Sequence, residues 1–254
     1  MDLPAAFAPL LTTTWLLALV AALCVGIAKG GLGGFALITV VIMAEIMPPK
    51  QSVGVVLLLY VIGDAYSVRA FGRHAQWKYV WSLLPPLLVG AVIGALLLDV
   101  IPPGLFKRVL GLVVLSMVVL QLLRYRCEAL FERLARSRRY VQATGVAGGV
   151  CTMLANAAGP LLQMYFLTVR LEKFTFIGTM AVLFCLLNLC KLPLGLGVGI
   201  LGWNTVFLVL LLAPAVVLGV ILGKALISFI PQQVFEWLVL AFAALTALHL
   251  MMNH

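Results

Sequence analysis

The stretch PPLLVGAVIGALLLDVIPPGLF, residues 85–106, returns later in the chain as PAVVLGVILGKALISFIPQQVF, residues 214–235. Both copies carry a proline, two glycines four residues apart, an Ile-Pro pair and a phenylalanine. The matched positions of the first copy are Pro85, Gly90, Gly94, Ile101, Pro102 and Phe106, and each has its counterpart 129 residues later. Because the match keeps its register through helix-breaking residues, the sequence predicts a chain built from two internal repeats.

The composition is that of a protein embedded in a bilayer. Hydrophobic residues make up 64% of the chain and charged residues only 10%, whereas soluble domains carry about 25% charged residues. The chain has 254 residues, and at roughly 20 residues per spanning helix it has room for about eight transmembrane segments and no separate soluble domain. We therefore predict an all-α integral membrane protein formed by one bundle.

Apolar runs between charged and turn residues divide the chain into spans. Six runs are continuous: Gln51–Val68, Tyr79–Leu98, Leu105–Leu123, Phe174–Lys191, Trp203–Leu222 and Val234–Met252. Two more runs are interrupted: Leu10–Met47 by KGGLGG at residues 29–34, and Val141–Val169 by ANAAGP at residues 155–160. Neither glycine-rich segments nor proline sustain a helix, and non-helical backbone at membrane depth needs protein or a wet cavity around it. Each repeat is therefore predicted to open with a broken or re-entrant helix and to continue with three full spans.

Basic residues fix the predicted orientation of the bundle. Six arginines crowd the polar stretch between the repeats: Arg124, Arg126, Arg133, Arg136, Arg138 and Arg139. The positive-inside rule places this stretch in the cytoplasm. The chain is thus predicted to consist of a first repeat at 1–123, a basic cytoplasmic loop at 124–140 and a second repeat at 141–254. The loop with Arg69, Arg73 and Lys78 falls on the cytoplasmic side, whereas its uncharged counterpart at 194–202 falls outside. The repeats are thus predicted to be inverted, as in secondary transporters whose substrate lies between two halves.

The two breaks carry the residues that we expect to bind a substrate. A helix that restarts after a glycine-rich turn presents unpaired N–H groups at the positive end of its dipole, which favours an anion. These candidate residues are Lys29, Gly30, Gly33 and Gly34 in the first break, and Asn156 and Gly159 in the second. Two structural alternatives stay open: Lys29 could extend to the membrane interface, and the glycines could serve close helix packing alone.

Three polar residues lie inside the later spans. Asn188 and Lys191 are three positions apart and share a helix face, and Asp64 stands at roughly the position of Asn188 in the first repeat. An ionisable residue within a span is costly and is a functional candidate. We assign Asn188 and Lys191 to substrate binding and Asp64 to a coupling proton. The alternatives are a helix-end anchor for Lys191 and neutralisation of a nearby basic residue for Asp64.

Other classes of function find little support. A hydrolase needs a nucleophile with its base, or metal ligands, yet His74, His249 and His254 stand outside the H-E-x-x-H and G-x-S-x-G motifs. A cation channel should carry acidic rings, and the spans hold little beyond Asp64. Topology accounts for the arginines without nucleic acid. We expect no enzyme activity, metal, cofactor or nucleic-acid partner, and the alternative function is a channel or carrier for another small solute or cation.

Several motifs resemble the TauE/SafE sulfite exporter family. They are GIAKGGLGGF at residues 26–35, Trp77 ahead of the span with Pro85 and Pro86, and a second repeat whose opening run ends at Gly159 and Pro160. The resemblance covers about residues 10–250 and implies a small multi-pass permease of the bacterial inner membrane with duplicated halves. It implies sulfite or a sulfur-containing organic anion as the substrate, alternating access as the mechanism and membrane lipid as a partner. A homodimer is compatible with it.

Overall fold

The computed structural model of the chain describes residues 13–102, 137–169 and 171–226, together with single positions between 105 and 129. Eight α-helices have both ends in these ranges: α1 (Thr13–Lys29), α2 (Phe35–Ile46), α3 (Pro49–Phe71), α4 (Trp77–Val100), α5 (Arg138–Ala155), α6 (Gly159–Thr168), α7 (Lys173–Gly197) and α8 (Trp203–Leu226). A 3₁₀ turn at Gly72–His74 lies between α3 and α4. None of the described residues forms a β-strand, so the described fold is all-helical.

Four described segments are long and apolar enough to cross a membrane. They are Lys50–His74, Trp77–Leu98, Lys173–Gly197 and Trp203–Leu226, with mean hydropathies from 1.6 to 2.9. These helices confirm four of the predicted spans and extend beyond them at one or both ends. The predicted span Leu105–Leu123 is described only at scattered positions, and Val234–Met252 lies outside the described residues. The total of eight transmembrane segments stays a prediction.

Both predicted breaks occur where the sequence places them. In the first, α1 ends at Lys29 and α2 begins at Phe35, and Gly31 has a φ of 120° that disfavours any side chain. In the second, α5 ends at Ala155 and α6 begins at Gly159. The intervening Asn156 adopts the left-handed conformation, with φ 51° and ψ 30°. The 12 residues of α2 span only about 18 Å, well short of the roughly 30 Å bilayer core.

Glycines bring the interrupted helix α1 against α8, and the interrupted helix α5 against α4, so that each contacts a helix of the opposite half of the chain. A Cβ on Gly26 of α1 would collide with the Val216 carbonyl of α8, next to Gly219. Likewise, a Cβ on Gly149 of α5 would collide with the Leu87 carbonyl of α4, next to Gly90. Such small-residue contacts let helix backbones approach closely in membranes. The residues that define the sequence repeat therefore form the contacts between α1 and α8 and between α5 and α4.

The third helices of the two halves run in opposite directions. Gly54, near the start of α3, faces the Ile200 carbonyl just beyond the end of α7. Gly178, near the start of α7, faces the Phe71 carbonyl at the end of α3. Since the start of each helix meets the end of the other, α3 and α7 are antiparallel, and their middles meet at the centre of the bundle.

Buried apolar clusters flank that centre on two sides. One includes Met43 of α2 and Leu212 of α8, and the other includes Phe166 of α6 and Leu187 of α7. On the outer surface, large apolar side chains such as Leu210 of α8 are 64% exposed. Lipid chains rather than water suit such a surface. The chain is therefore a helical membrane protein with its polar groups drawn inward.

Candidate functional site

A small cavity lies between the two breaks. Its wall includes Gly31 and Gly33 from the first break and Asn156 and Gly159 from the second, closed by side chains of α3, α6 and α7. Its volume is about 70 Å³, which is roughly the space that two water molecules take up in the liquid. The cavity therefore suits a small solute whose atoms reach both breaks at once.

The charged part of the wall is an ion pair between Lys29 and Asp64. The Lys29 Nζ atom lies 2.5 Å from Asp64 Oδ1, and the two side chains are 10% and 0% exposed. The same Nζ lies 4.5 Å from the ring centre of Tyr60 and 4.7 Å from that of Phe184. Aromatic faces at these distances stabilise an ammonium. Lys29 thus points into the protein centre, and Asp64 neutralises it.

Asn188 completes the surroundings of Asp64 from α7. Its Nδ2 atom donates a hydrogen bond of 2.7 Å to Asp64 Oδ2. Asn188 is fully buried, and its Oδ1 atom has no hydrogen-bond partner among the described residues. The Asp64 carboxylate is therefore paired on both oxygens, while one acceptor of the neighbouring amide is left over.

Lys191 is held by the end of α5. Its Nζ atom donates to the Thr152 carbonyl at 2.7 Å, to the Thr152 hydroxyl at 3.1 Å and to Asn156 Oδ1 at 2.8 Å. A cation at the C-terminal end of a helix is favoured by the exposed carbonyls and the dipole there. Asn156 Nδ2 in turn donates to the Val53 carbonyl of α3 at 3.0 Å. Lys191 is fully buried and lies off the cavity wall, so it ties α5, α7 and α3 together.

Several backbone N–H groups at the two breaks have no backbone acceptor among the described residues. The N–H groups of Gly33 and Gly34 donate to no described backbone carbonyl, and α2 begins without a side-chain cap. The N–H groups of Ala158 and Gly159 at the start of α6 likewise donate to no backbone carbonyl within the described ranges. Gly33 and Gly159 line the cavity. The positive ends of two helix dipoles therefore border the same small space.

The structure brings most of the predicted site residues to one place. Those on the cavity wall are Lys29, Gly33, Asn156, Gly159 and Asp64. Asn188 and Lys191 stand behind the wall in the contacts given above, Gly34 adjoins Gly33, and Gly30 packs against Gly223 of α8. Among the described residues, no three His, Cys, Asp or Glu side chains come together as a metal site would require.

Sequence reasoning missed the aromatic part of the wall. Tyr60 precedes Asp64 by four residues, and Phe184 precedes Asn188 by the same interval, so each aromatic shares a helix face with its polar neighbour. The pairs are also 124 residues apart from one another. The equal four-residue spacing and the equal 124-residue separation could have predicted that both aromatics line the site. Single aromatic residues are common in apolar spans, however, so neither residue was distinctive in the sequence.

These features together define a class of protein. Apolar helices long enough to cross a bilayer surround a cavity whose wall combines a buried ammonium, a carboxylate and unpaired backbone donors at two helix breaks. Ionisable groups and broken helices inside a membrane mark the pathways of transported solutes. The molecule is therefore a multi-pass membrane transport protein.

Comparison with known protein families gives the more specific assignment. The family model described as Sulfite exporter TauE/SafE matches residues 18–250. The chain therefore belongs to the TauE/SafE sulfite exporter family, which confirms the resemblance carried by residues 26–35. Members of this family are transporters rather than enzymes, in agreement with the prediction from the sequence. No curated protein and no solved structure gives a significant match to the chain.

Proposed function

We propose that the protein is a permease that moves small sulfur-containing anions, such as sulfite or an organosulfonate, across the inner membrane. The observation that carries this proposal is the position of Lys29, whose ammonium is 10% exposed on the cavity wall that Gly33 and Gly159 also line. An anion in the cavity would meet a fixed positive charge together with free backbone donors. Charge-assisted hydrogen bonds of this kind are the strongest polar contacts available to an oxyanion.

The predicted site residues would take two kinds of role. Those placed to contact the anion are Lys29, Gly33, Asn156 and Gly159. Those placed to support them are Gly30, Gly34, Asn188 and Lys191. For example, the three hydrogen bonds of Lys191 orient Asn156 at the wall, and the close approach of Gly30 to α8 holds the first break in place.

Alternating access between two inverted repeats is the mechanism that we propose for movement across the bilayer. It is supported by the reciprocal glycine contacts, in which α1 packs on α8 and α5 packs on α4. It is also supported by the antiparallel packing of α3 and α7, since a two-fold axis in the membrane plane reverses equivalent helices. Repeats of this kind rock around a site at the bilayer midplane, which is where the cavity would lie.

Asp64 is the group that we propose for coupling to protons. An inside-negative potential favours export of an anion by about 2.3 kcal/mol per charge per 100 mV, so export needs no proton. Uptake against that potential needs a driving cation. Asp64 is the buried carboxylate on the cavity wall, in contact with Lys29. Proton binding at Asp64 would release Lys29 to the substrate.

The test of anion binding is the variant Lys29→Gln in purified protein. We expect its affinity for the best anion in a panel of sulfite, thiosulfate and sulfonates to fall by about 1–3 kcal/mol, the value of a charge-assisted hydrogen bond. Ligand-induced thermal shifts measure this affinity because a bound ligand stabilises the folded state by mass action. Lys78→Gln is the matched control, since Lys78 is exposed near the start of α4. Equal affinities in both variants would remove Lys29 from the site.

A second measurement separates an anion carrier from a cation channel. Proteoliposomes are placed in potassium sulfite with valinomycin, which lets potassium follow the anion, or in potassium acetate with a protonophore, which lets acetate enter as acetic acid, and swelling is followed by light scattering. The proposed permease swells the vesicles in sulfite and is sensitive to Lys29→Gln. Swelling driven by potassium, unaffected by that variant, would favour the channel instead.

A further inference from the structure

Three of the described ionisable side chains lie together in the buried centre of the protein. Lys29, Asp64 and Lys191 have side chains that are 10%, 0% and 0% exposed. Lys29 and Asp64 are in contact, whereas Lys191 is surrounded by the neutral acceptors of Thr152 and Asn156. Of the described residues on the cavity wall, only Lys29 and Asp64 are charged. With all three groups ionised, the empty site therefore carries one net positive charge.

When the cavity closes around an anion, the charge of the anion should cancel the net charge of the site. Burying an uncompensated charge in a medium of low dielectric is expensive, so the closed complex is favoured when its charges sum to zero. A monovalent anion achieves this with Asp64 ionised. A divalent anion achieves it only when Asp64 carries a proton. The valence of the substrate thus decides the protonation state of the closed complex.

We propose, as an extension of the permease function above, that this protein carries one proton with each divalent oxyanion and none with a monovalent one. The proton moves on the Asp64 carboxylate and leaves it when the anion leaves. Charge balance in the cavity couples binding of the proton to binding of the divalent anion, and no covalent step is involved.

Asn188 supplies a second, independent observation for this proposal. In the structure its Nδ2 donates to Asp64 Oδ2, the arrangement that suits an ionised carboxylate, and its buried Oδ1 has no described hydrogen-bond partner. An amide that turns over presents Oδ1 to Asp64 instead, where it would accept a hydrogen bond from a protonated carboxyl group. The side chain can therefore pair with either charge state of Asp64, which accounts for an acceptor that is otherwise left unmatched in a fully buried position.

The other titratable groups near Asp64 do not alter the charge count. Those that interact with it electrostatically are Lys29 of α1, Tyr60 of α3, and Cys185 and Lys191 of α7. The helices and the 3₁₀ turn that pack on α3 carry further described titratable groups. They are Cys24 of α1, Glu45 of α2, which is exposed, Arg73 and His74 of the 3₁₀ turn, Lys173 and Cys190 of α7, Lys224 of α8, which lies over the ring of Phe71, Cys151 of α5, which packs against Leu161, and Arg138, Arg139 and Tyr140 at the start of α5. Tyrosine and cysteine are ordinarily neutral near neutral pH.

The experiment compares two probes in proteoliposomes containing the full chain. Thiosulfate is divalent and methanesulfonate monovalent near neutral pH. Uptake of each radiolabelled anion is measured with the membrane potential clamped by potassium and valinomycin, while a trapped pH-sensitive dye counts protons. We expect one proton to enter with each thiosulfate and none with methanesulfonate. Equal proton counts for the two anions, whether zero or one, would overturn the proposal.

Variants then locate the proton. Asp64→Asn is expected to take up thiosulfate without protons, because the two lysines balance the divalent anion, and to lose uptake of methanesulfonate, because one positive charge then stays uncompensated in the closed complex. Glu45→Gln, which removes an exposed carboxylate from α2, should keep the wild-type proton counts. Asn188→Ala provides a second test should Asp64→Asn fail to fold. It removes the amide that can pair with either charge state of Asp64, so it is expected to slow uptake of both anions while keeping one proton per thiosulfate and none per methanesulfonate. Equal proton counts for the two anions in this variant would overturn the proposal.

The same data separate this inference from the permease function on which it rests. Uptake of neither anion above that of empty liposomes would overturn both proposals together. Uptake of both anions with the same number of protons would leave the permease function in place and overturn only the link to valence.

Discussion

At each of the two breaks, a lysine side chain joins the break to the third helix of the same half, but the lysine lies on the break in one half and on the helix in the other. At the first, Lys29 ends α1 and reaches Asp64 on α3, whereas at the second, Asn156 follows α5 and is reached by Lys191 on α7. Both links join residues 35 positions apart. The first half therefore has its lysine at the break, and the second half has its lysine on the third helix. The same backbone arrangement therefore serves two different purposes.

The position of the lysine decides what it can do. Lys29 lies on the cavity wall with a carboxylate and two aromatic faces as neighbours, and an arriving anion can compete for it. Lys191 has no exposed surface and donates to three protein acceptors. This contrast is the reason that the proposed function gives ligand binding to the first lysine and support of the backbone to the second.

The sharpest way to break this comparison is Lys191→Met. The variant leaves the Thr152 carbonyl and the Asn156 amide oxygen buried without their donor, and we expect the free energy of unfolding to fall by about 1–3 kcal/mol. Chemical denaturation in detergent measures the loss. Lys78→Met, at an exposed position, should change stability by less than about 0.5 kcal/mol. If both variants were equally stable, Lys191 would not support the second break.

A smaller effect is expected at Asn156, where two replacements separate strain from lost hydrogen bonds. Asn156→Ala and Asn156→Gly both remove the bonds to Lys191 and Val53. At a φ of 51°, alanine also suffers a steric cost of about 1–2 kcal/mol that glycine avoids. The alanine variant should therefore unfold at the lower temperature. The reverse order would show that the left-handed turn at the second break does not constrain this residue.

The smallest effect on stability is expected at Gly159. This residue tests the difference between glycines that line the cavity and glycines at which two helices pack together. A Cβ on Gly159 has nothing within 4 Å, so Gly159→Ala should change stability by no more than about 0.5 kcal/mol. Anion affinity should persist, because the backbone N–H remains. Gly149→Ala is the contrasting variant, since its Cβ meets the Leu87 carbonyl of α4. Comparable melting temperatures for the two variants would contradict the contact between α5 and α4.

The sequence was sufficient to predict the interruptions and the helices around them. Glycine and proline act through their own backbone chemistry, so KGGLGG and ANAAGP end helices wherever those helices pack. The partners of the charged residues were harder to predict, because a helical pattern shows which residues share a face but not which faces meet. Asp64 was expected either to carry a proton or to neutralise a basic residue, and the structure pairs it with Lys29. The hold of Lys191 on the end of α5 depends on tertiary packing, which no spacing in the sequence reveals.

The short sequence separation of the two lysine links bears on how the chain enters the membrane during synthesis. When α3 emerges with Asp64, the partner Lys29 has been made 35 residues earlier, and Lys191 likewise follows Thr152 and Asn156 by 39 and 35 residues. An unpaired ionisable group in a span opposes insertion. Each half can therefore satisfy its own lysine before the other half is needed. The described hydrogen bonds that join the two halves have to wait until both are in the bilayer: Asn188 to Asp64 across 124 residues, Asn156 to Val53 across 103 and Gln76 to Thr179 across 103.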